Sequence, residues 1–126
     1  LRKIAEKTNV YGECGGYMVL GEGLVDANGT AHKMAGLLPL ETSFAKRKLH
    51  LGYRHLIALG GPFAGHLAAH EFHYSTTTKE QGDPLFLARN AEGDDLPPMG
   101  LIDQRVSGSF AHVIDRTADG MVDGVN

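Results

Sequence analysis

The chain has 126 residues, a formal net charge of −3 and a pI of about 6.1. That is enough for one domain with a sizeable core, and it lacks the basic surface that a nucleic-acid partner would call for. No run of about 18 apolar residues exists, which excludes a membrane-spanning helix. A single cysteine forbids an intrachain disulfide and fits a reducing, cytoplasmic setting. Charges are mixed rather than blocked, no signal peptide is visible, and the chain opens on Leu1, so it reads as a piece of a longer protein.

The first predicted element is the end of an amphipathic helix over Leu1–Thr8, with Leu1, Ile4 and Ala5 at helical spacing opposite lysine and arginine, and Asn9 as its C-cap. Val10–Glu13 is a short strand that delivers Cys14. The cysteine lies between Gly12 and the Gly15-Gly16 pair, and Tyr17, Leu20 and Leu24 share one face of a helix expected to run to Glu22 or Gly23. Strand, glycine-flanked nucleophile and helix together make a nucleophile elbow. Such a turn holds the nucleophile in a strained conformation, and glycines avoid Cβ clashes there. The helix N-terminus is expected to lower the thiol pKa, and the Gly15 N–H to face a developing oxyanion. The alternative is a small buried hydrophobe, but a merely packed cysteine needs no turn.

Beyond the Asp26–Thr30 turn, β character dominates. Lys33–Leu40 reads as strand or extended chain, and Glu41–Ala45 is ambiguous. Lys48–Leu59 alternates as a half-buried strand, with Leu49, Leu51 and Tyr53 against His50, Gly52 and Arg54. Gly60–Gly65 is a loop, His66–Thr76 a strand, Lys79–Pro84 a polar connection, Leu85–Arg89 a strand, and Ala91–Pro98 a second loop. Met99–Arg105 is the last clear strand; Ser107–Ile114 follows it, and Asp115–Asn126 is a polar tail. The glycines around Cys14 have neither the Lys-Ser/Thr pair of a P-loop nor dinucleotide spacing.

A cysteine nucleophile needs a base, and the chain holds seven histidines. In His70-Glu71-Phe72-His73, a strand puts Glu71 and His73 on one face, and the histidine spacing misses the helical zinc signature, so no metal site is assigned. His50 and His55 read as surface residues. His112, after Gly108-Ser109-Phe110-Ala111, is placed in a loop at a sheet edge, where catalytic groups are common; an ordinary loop histidine is the alternative.

The strings YGECGGYMVLGEGL, GLLPLETSFA, LHLGYR, HEFHYS and GSFAHVI, in that order from Val10 to Ile114, resemble the C-terminal class I glutamine amidotransferase domain of cobyrinic acid (hydrogenobyrinic acid) a,c-diamide synthases. Cobyric acid synthases share the cysteine elbow and the late histidine, but the second and fourth strings favour the diamide synthases. The resemblance implies an α/β, flavodoxin-like amidotransferase domain, β-rich and lacking its N-terminal part, over residues 1–114. It also implies an N-terminal synthetase domain of the same protein, using ATP and Mg²⁺ and absent from this chain. The expected activity is the glutaminase half of a ligase that amidates the a and c carboxylates of cobyrinic or hydrogenobyrinic acid.

In that likeness Cys14 matches the nucleophile, His112 the general base and Gly15 an oxyanion donor. Tyr17 stands where related amidotransferases carry glutamine, and with Glu71 it is a candidate for binding glutamine. Ile114 stands where the wider class I amidotransferases carry the glutamate that orients the histidine; the cobyrinate group resembles a Cys–His dyad instead, which leaves the orienting group open, with Glu71 as a candidate. No cofactor is expected in this domain, and exposed sheet edges favour association, a homodimer included. Two rivals share the elbow: a cysteine hydrolase of the same fold, and a degenerate domain kept as an interface.

Overall fold

The computed structural model describes residues 9–45 and 48–117. The helix expected over Leu1–Thr8 and the tail beyond Thr117 lie outside them. A seven-stranded sheet runs in the order β1-β10-β9-β8-β5-β6-β11. Its strands are β1 (Val10–Glu13), β5 (His50–Ala58), β6 (His66–His73), β8 (Asp83–Arg89), β9 (Asp95–Asp103), β10 (Val106–Ser109) and β11 (Ala111–Thr117). A second sheet, β3-β2-β4-β7, holds β2 (Gly23–Val25), β3 (Ala31–Lys33), β4 (Leu40–Ser43) and β7 (Thr76–Glu80). Among the described residues there is one helix, α1 (Gly15–Leu20). The large sheet is antiparallel except at β1–β10, where Val10 to Glu13 pair with Val106 to Ser109 in parallel. The β-rich expectation matches this sheet; the flavodoxin-like label is not decided by one parallel pair and one short helix.

The helix ends sooner than its apolar spacing suggests. Leu24, expected on the helical face, lies in β2. The cause is the segment 35–38, which takes over the carbonyls a longer helix would use. Ala35 N–H donates to Val19 O at 2.9 Å, Leu37 and Leu38 N–H to Leu20 O at 2.9 Å each, and Gly36 N–H to Gly21 O at 2.7 Å. These bonds satisfy groups that a helix terminus otherwise leaves open. A six-residue helix has little stability of its own; packing of Tyr17 and Leu20 against Leu38, Leu40, Leu101 and Phe110 holds it. A second core, with Leu56, Leu67, Leu85 and Phe86, fills the other part of the large sheet.

Several strand limits move. Residues 34–39 are irregular, while Glu41–Ser43 and Lys79–Glu80 join strands. Pro97 and Pro98 belong to β9 rather than to a loop. The polar tail starts later than expected, since Asp115 to Thr117 pair with Ala68 to His66. On β5 the alternation is real but inverted: Leu51 and Tyr53 are more than half exposed, whereas His50, Gly52 and Arg54 turn inward. The apolar pattern fixes the period, and the polar cavity described below decides which face turns in.

Helix α1 and strands β1 and β10 approach closely where glycines meet. A Cβ on Gly108 would sit 2.5 Å from Gly12 O and 2.7 Å from Tyr17 Cδ1, and one on Gly12 would sit 2.7 Å from Gly16 C. Substituting Gly108 with alanine is therefore expected to cost about 1–3 kcal/mol, as overpacking does, seen as a fall in the unfolding midpoint. Gly16→Ala meets no atom within 4 Å and is expected to be neutral or stabilising by up to about 1 kcal/mol. Equal effects from the two would contradict the packing described.

Candidate active site

The β1–β10 pair aims the backbone at the elbow. Cys14 N–H donates to Ser109 O at 3.0 Å, and Met18 N–H donates to Cys14 O at 3.1 Å, which makes Cys14 the N-cap of α1. Its backbone has φ 51° and ψ −111°, a conformation that L-residues rarely adopt and that persists only where the surroundings impose it. The strained elbow expected from the flanking glycines is thus present. The half-buried thiol donates to Phe110 O at 3.1 Å.

The electrostatics run against expectation. Burial pushes the Cys14 thiol up first, and the charges of Glu13 and Glu71 add to it. A six-residue helix end does not outweigh desolvation and two carboxylates, so the site favours the thiol over the thiolate.

His112 lies in β11, not in a loop, opposite His70 of β6. Its ring is 67% exposed and its Nδ1 stands 2.8 Å from Glu13 Oε1. The other oxygen of Glu13 accepts from Tyr11 Oη at 2.9 Å and from Val113 N–H at 3.0 Å. Glu13 passed unremarked in the sequence reading, although strand alternation places Tyr11 and Glu13 on one face next to the nucleophile. The structure thus gives His112 a different carboxylate from the expected Glu71.

Glu71 is engaged elsewhere. Arg54 Nε lies 3.0 Å from its Oε1 and His73 Nε2 lies 2.7 Å from its Oε2. Burial alone would raise this carboxyl, but His73 and Arg54 together hold it below the ordinary range. The expected shared face of Glu71 and His73 is thereby realised as a direct hydrogen bond. His73 Nδ1 meets Ser75 Oγ at 3.2 Å, and its ring stacks on Phe110 at 3.9 Å and on His50 at 4.6 Å. His50 is not a plain surface residue; burial, then His73, pushes it below the usual imidazole range. His50, Arg54, Glu71, His73 and Phe110 line one side of a cavity of about 470 Å³, with Pro98 and Met99 of β9 opposite. Phe110, whose carbonyl accepts the thiol's hydrogen bond, links this cavity wall to the elbow.

Donor atoms of His50, Glu71 and His73 lie within 4.8 Å of one another, close enough to surround a cation. However, Arg54 already holds Glu71 and both His73 nitrogens are engaged, so the cluster is arranged as a charge-paired wall. Tyr17 is fully buried, its hydroxyl donating to Glu80 Oε2 at 2.6 Å, and it edges Phe110 at 5.2 Å. The structure places Tyr17 behind the cavity wall, with no surface to offer a ligand. Gly15 opens α1 and is exposed, with no atom within 4 Å of where its Cβ would be.

Residues 1–119 match the family of the CobB/CobQ-like glutamine amidotransferase domain. The chain is similar to hydrogenobyrinate a,c-diamide synthase of Brucella anthropi, 62% identical over 113 residues, 88% of this chain and 26% of the relative. It is similar to the protein of that name from Rhizobium meliloti, 56% identical over 108 residues, 84% of this chain and 25% of the relative. The Rhodobacter capsulatus protein of the same name is 52% identical over 118 residues, 90% of this chain and 27% of the relative. The chain belongs to the CobB/CobQ-like glutamine amidotransferase family, and it spans about a quarter of the length of these curated relatives.

The raised thiol yields a direct test. Without glutamine, Cys14 should react with iodoacetamide at neutral pH more slowly than free cysteine does, and the rate should climb as pH passes the ordinary thiol range. Glu71→Gln removes one of the charges that raise the thiol, so at pH 8 it should speed alkylation about threefold. A rate already at its plateau at pH 7 would contradict this assignment.

Proposed function

We propose that this chain is the glutaminase part of a synthetase that amidates the a and c carboxylates of hydrogenobyrinic or cobyrinic acid with ammonia from glutamine. The observation that carries the reading is the strained Cys14 elbow, together with a His112 held by the carboxylate of Glu13, the residue preceding Cys14, in a chain of this family. The names of the relatives support the diamide synthase over a cobyric acid synthase. The β1–Cys14–α1 unit on a parallel strand pair supports a flavodoxin-like class I domain over residues 1–114, and the relatives' greater length supports a synthetase domain using ATP and Mg²⁺ elsewhere in the protein. Cytoplasmic location fits those soluble substrates.

The chemistry follows from the site. Because the site favours the thiol, His112 acts as a general base rather than as half of a preformed ion pair: it takes the proton as Sγ attacks the side-chain amide carbon of glutamine. The Gly15 N–H donates to the tetrahedral oxyanion, a contribution of about 3 kcal/mol for such a donor. His112 returns the proton to the departing ammonia. Water, activated by the same imidazole, then cleaves the γ-glutamyl thioester to glutamate, and the ammonia is consumed at the synthetase site. The cavity bounded by Arg54, Glu71 and His73 offers charges of both signs, as a zwitterionic amino acid requires. Glu71 would meet glutamine only as part of that wall, and Tyr17 would support it from behind through Phe110.

In the full-length enzyme, Cys14→Ala should lower glutamine-dependent amidation by at least about 10³-fold while amidation from free ammonium salt continues. A glutamine-analogue electrophile should add one adduct to Cys14 by intact mass, and excess glutamine should suppress it. An adduct indifferent to glutamine would favour a general cysteine hydrolase, and an unreactive Cys14 would favour a degenerate interface domain.

A further inference from the structure

We propose that Glu13 is the positioning residue of this site, holding His112 from the position just before the nucleophile. The proposal rests on the reading of Cys14 and His112 as nucleophile and base. The wider class I amidotransferases are expected to carry this carboxylate two residues after the histidine; here that residue is Ile114, which is apolar and exposed.

An exposed imidazole on a strand turns about two torsions unless something fixes it. Glu13 does so from a carboxylate that is itself pinned. Its Oε1 meets His112 Nδ1 at 2.8 Å, and its Oε2 accepts from Tyr11 Oη at 2.9 Å and Val113 N–H at 3.0 Å. The Val113 bond ties the carboxylate to the same backbone that carries the histidine, so ring and carboxylate move together. A carboxylate accepts only, so Nδ1 must carry the proton and Nε2 the lone pair. That is the tautomer a base needs if Nε2 is to receive the thiol proton. As the proton arrives, positive charge spreads over the ring 2.8 Å from Glu13, where the carboxylate stabilises it.

The other charged and titratable groups around the pair do not replace Glu13. Tyr11 donates to it, and Cys14 follows it as the N-cap of α1; on β6, His70 pairs with His112 in register and Glu71 is held by Arg54 and His73. The competing role for Glu13 is a structural staple between β1 and β11. The two roles differ in one respect: a positioning residue acts only through His112, whereas a staple matters with or without it.

The test uses the full-length enzyme and the ratio of glutamine-dependent to ammonia-dependent amidation, for Glu13→Gln, His112→Asn and the double variant. Glutamine keeps the size of Glu13 and an oxygen for Tyr11 and Val113, but presents N–H to Nδ1 and so favours the wrong tautomer. Expected for Glu13→Gln is a fall of about 100-fold or more in glutamine-dependent kcat, with KM for glutamine within about threefold. The double variant should be no slower than His112→Asn. A Glu13→Gln enzyme whose glutamine-dependent kcat stays within about threefold of the parent overturns the proposal, as does a double variant in which the two losses multiply. If Glu13→Gln lowers both activities in parallel, Glu13→Asp decides, since it keeps the charge on an arm too short to reach. A glutamine-specific loss there supports positioning, and a parallel loss supports the staple and overturns the proposal. Cys14→Ser, assayed alongside, separates the two levels: if it retains glutamine-dependent amidation, the amidotransferase reading itself fails, however Glu13 behaves.

Discussion

The site depends on how closely two glycines let three backbones approach. Gly12 and Gly108 face each other in the parallel β1–β10 register, with Gly16 of α1 pressed over Gly12 and the Tyr17 ring over Gly108. A side chain on Gly12 or Gly108 would lift the helix off the sheet. With the contact made, Ser109 O receives the Cys14 N–H, Phe110 O receives the thiol, and the chain turns from β10 into β11 with His112 alongside Glu13. The strained dihedrals of Cys14 follow from the same closeness, because β1 must become α1 within a single residue.

The electrostatic character of the site is set by carboxylates rather than by a helix dipole. Burial disfavours a thiolate at Cys14 most, and the charges of Glu13 and Glu71 add to it. Their partners differ: Glu71 is held by Arg54 and His73, while Glu13 is held by uncharged donors and by His112. The negative charge near the sulfur is therefore free to answer a proton arriving on His112, and a resting thiol is slow to react with oxidants.

The elbow was the most legible feature, because glycine on both sides of a cysteine is a local signal that needs no tertiary context. Strand periods were legible too, and the inward polar face of β5 was not, since period 2 does not say which face meets the core. The early end of α1 was hidden because hydrogen bonds from residues 35–38 cause it, and no local propensity encodes those. His112 was singled out by an expected loop position that the structure replaces with strand β11, and its role as base came from the resemblance. Its partner Glu13 escaped notice because it is adjacent to Cys14 in sequence but meets His112 only through the folded sheet. Tyr17 was misleading for the opposite reason: its place in the string suggested a ligand, and its burial makes it part of the wall behind one.

The bonds that assemble the site are among the most distant in the chain. Cys14 and Phe110 are 96 positions apart, and Glu13 and Val113 are 100 apart. Contacts of that separation form late, after the loops between them have closed. During synthesis the cysteine leaves the ribosome well before its histidine. Such a chain cannot bring Cys14 and His112 into one sheet until nearly all of this segment has been made, so formation of the site is coupled to completion of the fold.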